Sequence, residues 1–375
     1  MSSLLIYISV FTVSSMMISI YSEKRRMFDL FSLIGLSALV LFAAGRYFVG
    51  TDFVTYCAIF ERYAKTQWSK LFDSVSSEYL FAFIAKITYA KGGHALTYGT
   101  FAFLFLVPVY CTLKKQYNDI SLVTAMIIFC FSAYASAFNV TREYIAVAIV
   151  FYSLKYVFNN RFISFVLCIL VATLFHKSAF IALILWILWN HKYNITIKGF
   201  GKAVVILVTV IFVFYYQDLI KLMFGASEVF SDYLGYADEG KAGLNRDFYL
   251  LLFETAFILL FYKILAKDRY YDERIDYMIL LSVIALLISI TGFFHPQVKR
   301  IAYFFSMPAN LVLFGYIPKY SNKKYAWLIQ LLIIVYFVLK FILTSYILDQ
   351  GDLIPYEFDL TSNYADDPRN YYVFG

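Results

Sequence analysis

Two apolar runs, ISLVTAMIIFCFSAYASAF (Ile120–Phe138) and YIAVAIVFYSLKYVF (Tyr144–Phe158), enclose the short polar stretch NVTRE (Asn139–Glu143). We interpret both runs as membrane-spanning helices. Removing Arg142 and Glu143 from water costs free energy, so a charged pair at a membrane boundary indicates a functional site. The polar stretch therefore defines both a turn between two spans and a first candidate site.

The composition of the whole chain supports this interpretation. Hydrophobic residues make up 62% of the chain and charged residues only 15%, with a mean hydropathy of +0.70. Soluble domains are closer to half apolar and a quarter charged. The four cysteines are scattered, without the spacing of a zinc site or a disulfide framework. The sequence predicts an all-α, polytopic membrane protein.

The connecting loops predict the topology. Six basic loops contain more than half of the 32 Lys and Arg residues, and short basic loops stay in the cytoplasm. This rule predicts about twelve spans in a single membrane domain, residues 1–375, with both ends outside. The predicted external segments are 46–95, 218–247 and the tail from about residue 348. Within the first, residues 78–91 are apolar but short, so we interpret them as an interfacial or re-entrant helix.

Unusual polar residues collect on the predicted outer side, where several helices begin. Helix N-termini attract anions, and the planar fork of arginine suits phosphate oxygens. Taken singly, these residues have simpler interpretations: an interfacial arginine as a headgroup anchor, Asp52 as a helix cap, His176 as a packing residue. Their joint placement favours an external anion site suited to a diphosphate. The set comprises Arg46, Asp52, Tyr56, Arg142, Glu143, His176, Lys177 and Arg300.

Several of these residues lie in motifs that resemble a known family, the EpsG-like, Wzy-type polysaccharide polymerases. The resemblance extends over nearly the full chain, in the order expected for that family. The matching stretches are GRYFVGTDFVTY (Gly45–Tyr56), TREYIA (Thr141–Ala146), Arg161-Phe162 followed by FHKSA (Phe175–Ala179), RIAYF (Arg300–Phe304) and IPY (Ile354–Tyr356).

The resemblance implies a GT-C-like glycosyltransferase in the bacterial cytoplasmic membrane, with its active site facing the periplasm or exterior. Such an enzyme transfers a growing chain from undecaprenyl diphosphate to the next lipid-linked oligosaccharide repeat unit. It implies a lipid-linked donor and acceptor, membrane lipid and a chain-length regulator protein as partners, with no nucleic acid and no cofactor. Because no DxD-type carboxylate pair lies near the basic set, we expect the reaction to be metal-independent.

The family's chemistry assigns roles to the candidate residues. Arg142, Arg300 and Arg46 would neutralise the diphosphate, and Tyr56 and Lys177 would position the substrate. The base that deprotonates the acceptor hydroxyl is left open between His176, Asp52 and Glu143. The alternative functions are a flippase for lipid-linked oligosaccharides and an O-antigen-ligase-type transferase. A flippase usually consists of two repeated halves and has ionisable groups near the membrane midplane. In this chain the charges lie at the predicted external boundary and no repeated half is evident, so a flippase is disfavoured.

Overall fold

A computed structural model of the chain is helical throughout the part it describes, namely residues 2–20, 27–73, 75, 77–116, 119–190, 246–265, 273–293, 298–362, 364, 367 and 369. Within these residues there is no β-strand, only an isolated antiparallel bridge between Arg46 and Phe358. The helices are α1 (Ser2–Ser19), α2 (Leu30–Ala44), α3 (Phe53–Lys65), α4 (Trp68–Leu71), α5 (Tyr79–Gln116), α6 (Leu122–Phe129), α7 (Thr141–Phe158), α8 (Phe162–Thr173), α9 (Ile184–Asn190), α10 (Arg246–Leu265), α11 (Glu273–Ser289), α12 (Tyr303–Tyr320) and α13 (Ala326–Phe341). Shorter turns of 3₁₀-helix, Lys177–Leu183 and Val298–Ala302, precede α9 and α12.

Several helices are long and apolar enough to cross a membrane. Among the described residues five meet both criteria: Ser2–Ser19, Tyr79–Lys115, Glu273–Phe293, Lys299–Tyr320 and Ala326–Ile347. Four shorter apolar helices of 10–17 residues accompany them. The predicted helical membrane protein is confirmed, whereas the count of about twelve spans and the GT-C-like arrangement stay predictions. The predicted external segment 218–247 lies outside the described residues, except for its last two.

The short apolar stretch 78–91 forms the first part of α5. The helix breaks at Gly92 and Gly93, where the backbone leaves helical geometry. Gly93 has φ 59° and ψ −151°, a conformation that residues with a Cβ rarely adopt. The break separates a segment of about four turns from the longer helix that follows. Its interfacial or re-entrant position stays a prediction.

The chain divides into two compact units. Unit 1 comprises Met1–Tyr152, Leu170–Ala179 and Phe314–Gly375, and unit 2 comprises Ser153–Ile169 and Phe180–Leu313. An aromatic cluster forms part of the core of unit 1: Tyr7 contacts Phe11, Phe42 and Tyr356, and Phe42 stacks on Tyr356 with ring centroids 4.1 Å apart. In unit 2, the hydroxyls of Thr255 and Ser282 join α10 to α11 at 3.0 Å. The predicted single domain stays a prediction.

The C-terminal segment of unit 1 lies along the loop that follows α2. Two backbone hydrogen bonds join the first part of this loop to the tail, from Tyr47 N to Glu357 O (3.0 Å) and from Asp359 N to Gly45 O (2.7 Å). Two more join the last part of the loop, from Gly50 N to Asp352 O (2.7 Å) and from Thr51 N to Gly351 O (3.3 Å). Backbone groups removed from water need such partners. The loop and the tail therefore supply hydrogen-bond partners for each other's backbone groups and form one structural element.

Candidate active site

The candidate site lies in unit 1, where the first turn of α5 meets the end of α8. The first N–H groups of a helix have no partner within the helix. Here Leu80 N and Phe81 N both donate to Leu174 O, at 3.1 and 3.4 Å. His176 follows Leu174 by two residues, and its own N–H donates to Ala172 O at 3.0 Å. This contact places the residue before α5, Glu78, next to the His176 side chain.

Glu78 is the centre of a three-residue cluster. His176 Nδ1 lies 2.7 Å from Glu78 Oε1, and Arg142 Nη1 donates to Glu78 Oε2. The exposed fraction of the side chain is 10% for Glu78, 20% for His176 and 34% for Arg142. The carboxylate is thus enclosed, whereas the side chains of the two groups that it binds remain partly exposed.

The electrostatics of the cluster favour an ionised carboxylate. Burial alone would raise the pKa of Glu78, but the hydrogen bond from His176 and the positive charge of Arg142 outweigh burial and hold that pKa below its usual value. Glu78 is therefore a carboxylate at neutral pH and accepts hydrogen bonds. This state excludes it as the proton donor of a reaction at that pH.

Aromatic rings border the arginine of the cluster. The guanidinium carbon of Arg142 lies 5.6 Å from the ring centroids of both Tyr56 and Phe81, a distance that allows cation–π attraction. Tyr56 is buried on α3, and burial raises the pKa of its phenol, so the hydroxyl stays protonated. Tyr56 and Arg142, both candidates from the sequence, are thus brought together with His176.

Asp52 occupies the N-cap position of α3, one helical turn before Tyr56. Its side chain makes no capping hydrogen bond to the helix. Asp52 Oδ1 instead lies 3.2 Å from the hydroxyl of Thr51. The simpler interpretation, a side-chain cap, is therefore not realised, and a role as base stays a prediction.

Arg46 lies in the interior of unit 1. Its residue is 2% exposed, and its Nη1 donates to Phe138 O at 2.6 Å. The guanidinium carbon lies 3.9 Å from the ring centroid of Tyr98 and 4.5 Å from that of Phe138. A diphosphate would reach this group only if the rings moved, so its predicted contact with substrate stays a prediction.

The remaining candidates from the sequence are Glu143, Lys177 and Arg300. Glu143 is buried, next to Arg142 in sequence, and Lys177 begins the 3₁₀ turn after His176. Arg300 belongs to unit 2, in the 3₁₀ turn before α12. In the same turn Lys299 Nζ binds Asp247 Oδ2 at 2.5 Å.

The sequence did not identify Glu78 as a functional residue. The available signal was modest: Glu78 is the single acid at the start of an apolar run that extends to Ala90. A carboxylate at such a boundary needs a partner. Its partners, however, lie 64 and 98 residues further along the chain. Only the docking of α5 on α8 shows which they are.

The geometry supports acid–base chemistry next to an anion site. A carboxylate on Nδ1–H holds the imidazole in the tautomer whose Nε2 accepts a proton. Arg142 uses one nitrogen on Glu78 and can offer others to phosphate oxygens. Within the described residues no group of three or more His, Cys, Asp or Glu could hold a metal ion, and metal independence stays a prediction.

Comparison with known proteins gives one match. The model of the EpsG family matches residues 29–358, a range that contains Glu78, Arg142, His176 and Arg300. No curated protein matches the chain. No solved structure matches it either.

Proposed function

The chain belongs to the EpsG family, and from this premise we propose that it is a metal-independent glycosyltransferase that polymerises undecaprenyl-diphosphate-linked oligosaccharide repeat units at the external face of the bacterial cytoplasmic membrane. Family membership indicates a polysaccharide-polymerase-like membrane protein. The observation that carries the finer proposal is the cluster of Arg142, Glu78 and His176, in which one buried carboxylate binds a cation and an imidazole.

The arginines act on the donor. As the glycosyl–phosphate C–O bond breaks, the electron pair leaves with the diphosphate, and a fixed positive charge stabilises the leaving group. Arg142 suits this role because its side chain is partly exposed and retains donors beyond the one bound to Glu78. Arg300 is assigned to the same role from its family motif, with Arg46 as a further donor-binding candidate from the sequence.

The imidazole acts on the acceptor. The acceptor hydroxyl attacks the anomeric carbon of the donor sugar, and its proton passes to Nε2 of His176. Glu78 orients the ring through Nδ1 and stabilises the imidazolium that forms, as carboxylates do in hydrolase triads. His176 is favoured over Asp52 and Glu143 because it has this carboxylate partner. Tyr56 and Lys177 remain the substrate-positioning candidates.

The test is glycan chain length in a strain that lacks the gene, complemented with Arg142→Ala or His176→Ala. We expect surface glycan limited to one repeat unit, because transfer between lipid carriers stops while the repeat unit is still made and exported. Arg142→Lys keeps the charge but loses the planar fork, so it should give short chains. Lys65→Ala is the matched control, since Lys65 forms an exposed pair with Glu61 on α3.

Membrane abundance of each variant separates loss of activity from loss of protein. Wild-type chain lengths from Arg142→Ala at normal abundance would overturn the proposal. Repeat units that accumulate on the cytoplasmic face would instead identify a flippase. Full-length polymer that remains on its lipid carrier would identify a ligase-type transferase.

A further inference from the structure

The start of α7 is held from two sides, three or four residues before Arg142. Arg46 Nη1 donates to Phe138 O at 2.6 Å, and Asn139 Nδ2 donates to Gly351 O at 2.8 Å. The first bond comes from the loop after α2 and the second from the C-terminal tail. Both lie within about one helical turn of Arg142 in sequence.

The side chain of Asn139 is enclosed between two glycines. Gly50 and Gly351 have φ of 98° and 91°, a region that favours glycine. A Cβ on Gly50 would lie 2.6 Å from Asn139 Oδ1, and a Cβ on Gly351 would lie 2.6 Å from Asn139 Nδ2. The loop and the tail therefore leave space for the Asn139 amide and for little else.

The tail that supplies Gly351 is itself fixed to the helices of unit 1. Tyr356 O–H donates to Phe42 O at 2.6 Å on α2, and its ring stacks on that of Phe42. Tyr7 O–H donates to Leu353 O at 2.9 Å from α1. With the four backbone bonds to the loop, these contacts give the carbonyl of Gly351 a defined position.

Burying Arg46 in the interior of unit 1 costs free energy. Burying a guanidinium costs several kcal/mol unless strong partners replace water. Within the described residues no carboxylate forms an ion pair with it, and its Nε has no hydrogen-bond partner. Its compensation comes from the Phe138 carbonyl and from the faces of Tyr98 and Phe138. Arg46 also lines a small cavity together with Thr141, the residue before Arg142.

We propose that Arg46, Asn139 and the tail segment Gly351–Asp359 form a clamp that positions the start of α7, and with it Arg142, for the transfer reaction. This inference rests on the proposed function, because it assigns to the clamp the alignment of a group that acts on the donor. Arg46 is then a positioning residue that acts through the backbone of Phe138, and this role replaces the contact with the donor expected from the sequence. Misplacement of a catalytic group by about 1 Å can lower a rate by roughly 100-fold.

A cross-link tests whether the tail is docked on the loop. Gly45→Cys is combined with Phe358→Cys in a chain whose four native cysteines are replaced, because a Cβ on Gly45 would contact the Phe358 ring. We expect a disulfide under mild oxidation. The control pair is Trp327→Cys with Phe358→Cys, since Trp327 lies at the first turn of α13, roughly 20 Å along that helix from its end. No disulfide in the first pair, or equal yields in both, overturns the inference.

A labelling experiment tests whether the clamp positions residue 142. Arg142→Cys is combined with Asn139→Ala or Arg46→Lys, and the alkylation rate of the introduced thiol is measured in membranes. We expect the alkylation rate to differ from that of Arg142→Cys alone in each combination, because the clamp no longer fixes the start of α7. A second reporter, Lys65→Cys on α3, should keep its rate because the Lys65 side chain is 75% exposed, and this separates local displacement from general unfolding. Unchanged alkylation at position 142 overturns the inference.

The two proposals fail in different ways. In the chain with Arg142 intact, Asn139→Ala and Arg46→Lys should lower polymerisation in membrane vesicles by roughly 10- to 100-fold through kcat. Displacement at position 142 without any loss of polymerisation overturns the clamp's role in transfer. Full-length polymer from Arg142→Ala overturns the proposed function itself, and the alkylation rates then report only on structure.

Discussion

Replacing Glu78 by Gln is the sharpest single test of the cluster. Gln has nearly the same shape as Glu, but it has only one oxygen acceptor and carries an amide group that cannot accept. The carboxylate of Glu78 binds His176 at one oxygen and Arg142 at the other. In the variant an amide group therefore replaces one of the two acceptors, and the remaining oxygen no longer carries a negative charge.

The magnitude follows from the bonds that are lost. A hydrogen bond to a charged group contributes about 1.5–3 kcal/mol. One such bond disappears, and the partial exposure of Arg142 lets water compensate on that side. If the loss appears in the transition state, the polymerisation rate falls by roughly 10- to 150-fold. Most of the fall should be in kcat, because Glu78 does not itself contact substrate.

The assay is polymer formation in membrane vesicles at equal protein abundance, with the rate measured against donor concentration. Glu61→Gln is the matched control, since Glu61 also binds a cation and a hydroxyl, Lys65 at 2.5 Å and Tyr364 at 2.6 Å, but lies on the more exposed surface of α3. We expect the control to stay within about twofold of wild type. A Glu78→Gln rate that matches the control would refute the role of Glu78 in orienting His176.

Three further predictions concern stability, measured as the free energy of unfolding in detergent. Because the pKa of Glu78 is lowered in the folded protein, its contribution to stability is fully present above the unfolded pKa of about 4.3 and is lost as pH falls through the folded pKa. The stability difference between wild type and Glu78→Gln should therefore shrink on acidification below about pH 4.3, and a difference that stays constant there would contradict this. Gly50→Ala places a methyl at positive φ and against Asn139, so it should lower the free energy of unfolding by about 1–3 kcal/mol, visible as a lower Tm. Lys86→Met removes an ammonium that donates to three carbonyls at the end of α3, so it should lower the free energy of unfolding by about 1.5–3 kcal/mol. Lys70→Met, at an exposed position, is the control and should lower it by less than about 0.5 kcal/mol. Equal losses in both variants would refute the capping role of Lys86.

The helical membrane class was predictable because it depends on local composition. An apolar run of sufficient length can satisfy its backbone inside a bilayer only as a helix or a closed barrel. The run 120–138 and the hydrophobic stretch after Glu143 carry that signal without any information on tertiary contacts. The break at Gly92 and Gly93 falls directly after the short apolar stretch 78–91, where the sequence already separates this stretch from the following span.

The candidate site was predictable only in part. Arg142 and His176 were identified because a charged or titratable residue at a membrane boundary is costly and therefore informative. That cost indicates that a partner exists, but it does not say which residue is the partner. Glu78 and the contacts of Arg46 depend on segments 64 and 92 residues apart, respectively, and no local pattern encodes such pairings.

The pairing of Arg142 shows why the adjacent Glu143 was a poor guide to the site. Neighbouring residues on a helix point in different directions, so Arg142 cannot be neutralised by the acid next to it. Its partner has to come from another segment, and here it is Glu78, the residue before α5. The start of α5 is held in place by the hydrogen bonds from Leu80 N and Phe81 N to Leu174 O. The same contact brings His176 to the other carboxylate oxygen. The anion-binding group and the candidate base thus share one docking contact, so a substitution that loosens α5 from α8 should impair both roles together.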